Sequence, residues 1–315
     1  MKEHKPILAG GLYLGDDGHW QSATLVSDGH TLREIGEAVV STAPLVPECQ
    51  LLGLNAGQGI EQPLAATDLA NAHAIPVITD LRQSDLAFGG RGGPLSPFYL
   101  HALARYAGES APLVFLDLGS IAKVTWVDPT VAAPDDPAAL LAFEAGPALS
   151  VLTRASGSAR NADGQIGKVE DGALELFLQE PYFRRIAPKW LGGDSFENML
   201  SLVFELSEAD AKATLCGMIA TSIMLASEHY PKPPAKYIVS GLGSQNNYLM
   251  KIIKSGLDVP VVGANDWGLD EKSFHAHATA FLAIRAFYGL ATTAPSTTGV
   301  RAAIGGAVLS HPGGR

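Results

Sequence analysis

Short apolar runs broken by Gly, Asp and Asn fill the first part of the chain. ILAGGLYLG from Ile7, WQSATLVSDG from Trp20 and TLREIGEAVV from Thr31 read as strands, with Asp-Gly and Gly-rich turns between them. LLGLNAGQG from Leu51 is a further strand entering a polar glycine turn. ATDLANAHA from Ala66 suits a short helix, and IPVITDL from Ile75 a strand. PLSPFYLHALARYAGE from Pro94 then starts a helix.

A second pattern begins at Pro112. VFLDLGSIAKVTWVD from Val114 predicts a hairpin turning near Gly119 to Ala122, and TVAAPDDPAA from Thr130 is loose. LLAFEAGPALSVLTRA from Leu140 reads as strand, glycine turn and helix start. Residues 158–195 read as a largely irregular, polar inserted region, of the kind that more often touches a ligand or a partner. The apolar spacing from Glu205 to about His229 predicts a long helix. KYIVSGLG, QNNYLMKIIKSG, VPVVGAN and EKSFHAHATAFLAIRAFYG then predict strand, helix, strand and final helix. Alternating strands and helices argue an α/β architecture with ligand loops at strand ends. A Pro-Gly boundary near residues 108–112 divides the chain into a first lobe, 1–110, and a second, 111–315.

Composition narrows the function classes. A formal charge of −10 from 22 Lys and Arg against 32 Asp and Glu argues against a nucleic-acid partner. No window approaches eighteen consecutive apolar residues, so no membrane span is expected, and a cytoplasmic location is the default. Cys49 and Cys216 form neither a disulfide framework nor a metal cluster. His275 and His277 stand about 200° apart on a helix and cannot easily chelate, so no metal site is expected among protein ligands.

The densest chemistry follows the run IPVI. From Asp80, DLRQSDLAFGGRGGPLSP combines carboxylates, arginines and glycines, a composition suited to holding a small polar ligand close to the backbone. Four other strand ends carry glycine with polar groups: Gly10 to Gly18, Asn55 to Gly59, Asp117 to Lys123, and Ser240 to Asn247. Such turns offer amides to phosphate oxygens. Neither a Walker A loop nor a dinucleotide GxGxxG occurs.

These stretches together resemble the 1,6-anhydro-N-acetylmuramic acid kinases of the actin-like, sugar kinase and heat-shock ATPase superfamily. That family's DFRxxDIAxGGQGAPLVP is similar to DLRQSDLAFGGRGGPLSP, and its LNLGGIANIT to LDLGSIAKVT. GFDTGPGN resembles AFEAGPAL, PYFxxxPPKSTGRE resembles PYFRRIAPKWLGGDS, CGGGAxNxxLM resembles SGLGSQNNYLM, and PxVTGA resembles PSTTGV. The matches run in order from about Leu54 almost to the C-terminus. The resemblance implies two ribonuclease-H-like lobes with mixed sheets and a cleft between them, the first lobe reduced. It implies an ATP- and Mg²⁺-dependent enzyme that opens a 1,6-anhydro bond with water and phosphorylates O6.

By the same resemblance Asp85 is the catalytic base, projecting into a groove, with Arg82 beside it. Asp80, Gly89, Gly90, Arg91, Gly146, Pro147 and His275 fall on the sugar side. Gly15, Asp16, Asp17, Gly119, Ser120, Lys123, Gly241, Gly243 and Asn246 fall on the nucleotide side, and Gln58, in NAGQG, matches the family's SHGQT. Departures are equally plain. Asp16 and Asp17 stand where the family has a Thr-Ser pair, Ala56 replaces a histidine, and His275 replaces a sugar-facing glutamate. Asp117 and Lys123 each replace an asparagine, and Ala148-Leu149 replaces Gly-Asn. Two other readings therefore stand beside the kinase: a non-catalytic homologue serving as partner subunit or ligand sensor, and an ATP-independent sugar hydrolase. Self-association as a two-fold dimer is a further expectation.

Overall fold

The computed structural model describes residues 4–57, 60–61, 64–156, 167–191 and 197–313. β1 (Ile7–Leu14), β2 (Trp20–Ser27), β3 (Leu32–Ser41) and β4 (Leu51–Ala56) come first. They are followed by α1 (Ala66–His73), β5 (Val77–Thr79), α2 (Gln83–Ala87) and α3 (Pro97–Tyr106). The middle holds β6 (Leu113–Leu118), β7 (Ile121–Val127), β8 (Leu140–Pro147), α4 (Leu149–Ser156), α5 (Asp171–Leu178), α6 (Glu197–Ser201) and α7 (Glu208–Ala226). β9 (Tyr237–Ser240), α8 (Asn247–Gly256), β10 (Val261–Gly263), α9 (Ala264–Trp267), α10 (Phe274–Phe287), α11 (Pro295–Thr298) and β11 (Val308–Ser310) complete the chain.

Two compact units form. The first is Met1–Ser110 with Val127–Leu140 and Leu269–Arg315, and the second is Ala111–Trp126 with Leu141–Gly268. A single division at 110/111 does not describe this arrangement, because the C-terminal segment returns to the first unit. There α10 packs on β1, β2 and β4. The contact is close: a side chain at Gly11 would put its Cβ 1.8 Å from the Ala276 carbonyl oxygen. Buried Ala276, Ala280 and Ala283 line the facing side of the helix.

The first sheet has the order β11-β5-β4-β1-β2-β3. β2 is antiparallel to β1 and β3, while β4 runs parallel to both β1 and β5. β11 adds an antiparallel edge to β5. The parallel strands all finish on one edge, so the segments after Leu14, Ala56 and Thr79 emerge together. β4, in the middle, is buried along almost its whole length, whereas β3 at the edge is largely exposed. Leu12, Leu52, Leu54 and Val77 close a small core with Trp20 and Ala70. Full burial of each aliphatic side chain contributes about 1.5–3 kcal/mol.

The second sheet has the order β10-β9-β6-β7-β8. β6, β9 and β10 are parallel, and the two-residue turn between β6 and β7 can join only antiparallel neighbours. The core gathers Leu116, Trp126 and Phe143 from the sheet with Leu215, Ile219 and Ile223 from α7. α7 and its continuation to His229 are long and apolar enough to cross a membrane by length and composition alone. Most of the segment is buried inside this unit.

The inserted region is more regular than its polarity suggests. Within 158–195 the chain forms α5 and a 3-10 turn at Pro181–Arg184. Ala173 and Phe177, one helical turn apart, are buried and seat α5 on the core. Residues 157–166 and 192–196 lie outside the described residues, as does Gln58.

Candidate active site

Three chain segments meet at the carboxyl edge of the first sheet, where open parallel sheets bind ligands. After β5 the backbone turns sharply: Asp80 takes φ +57°, and its carbonyl accepts from the Gln83 N–H at 3.1 Å. The one-turn helix α2 follows and delivers Asp85. Gly89 and Gly92, both at positive φ, bracket the return towards α3.

Asp85 is 1% exposed. One carboxylate oxygen accepts from the Gly92 N–H at 2.6 Å, the other from the Thr298 hydroxyl at 2.5 Å. Gly90 covers it, and a Cβ there would lie 2.1 Å from Asp85 Oδ1. The carboxylate expected to project into a groove is buried: its own glycine turn and α11 fold over it, satisfying a group that would otherwise be costly to bury. Thr298 also accepts the Arg91 N–H on its carbonyl at 3.2 Å.

Arg82 is half-buried and braces the loop from below. Its guanidinium donates to the Gly92 carbonyl at 2.9 Å and to the Ala56 carbonyl at 3.4 Å. Burial lowers its pKa, while the nearby Tyr13 and Asp16 oppose that shift. Burial raises the Tyr13 phenol, and Asp16 adds to it. His275, exposed at the start of α10, stacks on Tyr13 with ring centroids 4.6 Å apart. Asp80, Gly89 and Arg91 are exposed on the same loop. Asp80 accepts from the Thr79 hydroxyl at 3.2 Å.

The β1–β2 turn spends its amides internally. Gly15 N–H donates to the His19 carbonyl, Gly18 N–H to the Gly15 carbonyl, and His19 N–H to Asp17 Oδ1. What the turn presents is carboxylate. The Asp17 side chain is 71% exposed, and the His19 N–H holds its pKa below the usual range. Asp16 lies against Gly57, where a Cβ would meet its Oδ1 at 2.0 Å.

In the second unit, Asp117 pairs in register with Ser240, so the turns after β6 and β9 share one sheet edge. Gly241 has φ +82°, and a Cβ there would meet Asp117 Oδ1 at 2.6 Å. Gly243 packs equally close to Leu118. Ser120 and Lys123 are exposed, Gly119 partly so. The Gly119 and Ser120 carbonyls receive the N–H groups of Leu149 and Ala148 at the start of α4. Asn246 caps α8, accepting the Leu249 N–H at 3.0 Å. Gly146 and Pro147 are buried in β8, and a Cβ on Gly146 would strike the Ser222 hydroxyl at 2.4 Å. Gly146 thus packs β8 closely on α7.

Thus the first unit brings together Asp16, Asp80, Arg82, Asp85, Gly89, Gly90, Arg91 and His275. The second brings together Gly119, Ser120, Gly241 and Gly243. Sequence reasoning missed Tyr13 and Thr298. For Thr298 a signal existed, since it lies in PSTTGV, but its partner is far away in the chain. Among the described residues no three His, Cys, Asp or Glu side chains group as a protein-only metal site.

Two mixed sheets with the same central order, each offering strand-end turns on one edge, define an α/β protein of the actin-like, sugar-kinase architecture. The family model for anhydro-N-acetylmuramic acid kinase matches residues 62–310. The chain belongs to that family, which supports a function of the anhydro-sugar kinase type. The anhydro-N-acetylmuramic acid kinase of Ruegeria sp. (strain TM1040) is 48% identical over 253 residues, 78% of this chain and 68% of that protein. That of Roseobacter denitrificans is 38% identical over 311 residues, 94% of this chain and 82% of that protein. Among solved structures, the Acidaminococcus fermentans (R)-2-hydroxyglutaryl-CoA dehydratase component A aligns with a TM-score of 0.42 and 14% identity. The alignment covers 89% of this chain and 98% of that one.

Proposed function

We propose that the protein is an ATP-dependent kinase of a 1,6-anhydro amino sugar, opening the anhydro ring with water and leaving a phosphate on O6. Family membership supports the sugar and the reaction class. The observation that carries the chemical assignment is Asp85, a carboxylate held through both oxygens at the carboxyl end of the parallel strands β1, β4 and β5.

In this reading a water oxygen bonds to the anomeric carbon, the bond from that carbon to O6 breaks, and the water proton passes to Asp85. Bound Mg·ATP supplies the γ-phosphoryl group that O6 takes up, leaving ADP. Arg82 keeps the loop in place through the Gly92 and Ala56 carbonyls. Water reaches Asp85 when the Gly89–Arg91 turn moves aside, since the carboxylate is closed off with the turn down. Asp80, Arg91 and His275, exposed on this edge, orient sugar hydroxyls and the lactyl carboxylate.

The residues present fit both groups, in different ways. Gly241, at positive φ beside the β6 turn, and the exposed Ser120 suit close approach of phosphate oxygens. In the first unit, Asp16 and Asp17 are hard oxygen donors of the type Mg²⁺ takes.

The test is ADP release from 1,6-anhydro-N-acetylmuramic acid with Mg·ATP, alongside calorimetric nucleotide binding. Asp85→Asn should keep nucleotide binding and lose turnover. Undiminished turnover in Asp85→Asn removes the base assignment. Failure to bind nucleotide selects the non-catalytic homologue, and sugar hydrolysis without nucleotide selects the hydrolase.

A further inference from the structure

We infer that Thr298 is a positioning residue for the Asp85 carboxylate, and that the C-terminal segment thereby forms half of the cradle of the base. The inference rests on Asp85 being the base of the proposed reaction. A threonine hydroxyl has one proton to give. Two acceptors lie near Thr298 Oγ1: Asp85 Oδ2 at 2.5 Å and the Ala294 carbonyl at 3.4 Å. The shorter, charge-assisted bond takes the proton.

Thr298 is itself held rigidly. It is fully buried, and its N–H donates to the Ala294 carbonyl at 3.1 Å. Thr297 closes the same turn by accepting the Ala294 N–H at 3.1 Å. One residue therefore grips the loop twice, at the Asp85 side chain and at the Arg91 amide. Beside it, Gly306 lies so close to α2 that a Cβ would sit 2.1 Å from the Ser84 hydroxyl.

The geometry has a mechanistic consequence. Gly92 and Thr298 each occupy one carboxylate oxygen, which stops rotation about the terminal torsion and fixes where the remaining lone pairs point. Without the hydroxyl the carboxylate keeps one anchor and swings, so the proton acceptor is misplaced in the transition state while the sugar's binding groups are untouched.

The experiment compares wild type, Asp85→Asn, Thr298→Val and Thr298→Ser by steady-state kinetics and thermal melting. Thr298→Val keeps the shape and removes the donor. It should lower kcat by roughly 10- to 100-fold, the scale of a misplacement up to 1 Å, with KM unchanged, and Thr298→Ser should restore most of the rate. Asp85→Asn inactive with Thr298→Val turning over like wild type overturns the positioning role and leaves the base intact. A rise in KM that Ser does not rescue also overturns it, marking a structural residue only. Asp85→Asn as active as wild type removes the base and this inference together. Melting curves on Asp85→Asn, Thr298→Val and the double variant add a readout independent of turnover: additive shifts mean no coupling between the two side chains and overturn the contact itself.

Discussion

Replacing Gly90 with alanine adds one methyl group to the place where the site has least room. The new Cβ would stand 2.1 Å from Asp85 Oδ1, 2.7 Å from Oδ2 and 2.5 Å from Cγ. The closest of these is roughly 1 Å inside van der Waals contact, so something must move. Asp85 cannot withdraw without giving up the Gly92 or the Thr298 hydrogen bond, and the turn cannot lift without losing the Arg91–Thr298 contact. Overpacking costs about 1–3 kcal/mol and an abandoned buried partner about 1–3 kcal/mol. A loss of about 2–6 kcal/mol is expected, which lowers the melting temperature of the first unit by about 4–24 °C at roughly 2–4 °C per kcal/mol. Turnover should fall on the order of 100-fold. Scanning calorimetry and the ADP-release assay read both effects. Gly172→Ala is the control, since its methyl would come no nearer than 3.6 Å to Glu170 Oε1. If Gly90→Ala melts and turns over like the wild type, the carboxylate does not lie beneath that turn and the account of the site falls.

Two further predictions concern stability. His101 is fully buried, and its pKa is pushed down to about 4, chiefly by burial. The folded state therefore resists protonation while the unfolded chain accepts it below about 6.5, so this group's contribution is lost as pH falls from 6.5 towards 4. Going from pH 7.5 to pH 5 should cost wild type about 2 kcal/mol more than His101→Gln, read by urea melts; a pH-independent difference between the two would exclude it. Asn246→Ala removes the cap of α8 and should cost about 0.5–2 kcal/mol. Asn246→Ser should recover most of it, and a nucleotide affinity that drops with both variants would show a ligand role beyond the cap.

How much of this was legible in the chain depends on the range of the interaction responsible. The continuous apolar runs of β1 and β4, the largely alternating burial in β2 and the helical spacing of α7 are local consequences of side-chain direction, and each stands where the pattern puts it. The glycine-rich return after α2 was equally readable, and Asn246 before a helical run is a local cap signal. α5 was not: its helix is stabilised by Ala173 and Phe177 on a distant core, which overrides a polar, glycine-bearing stretch.

From its residue order alone, this chain announces alternating strands and helices, a carboxylate loop after a buried strand, and the motifs of its family. Only the folded arrangement decided that Leu269–Arg315 rejoins the first unit, that Asp85 is closed off, and that Thr298, 213 positions away, supplies its second anchor. The physical reason is the same in each case. Periodicity records which face of an element is apolar, but which faces meet depends on packing both partners at once, and a short stretch of chain carries only one of them.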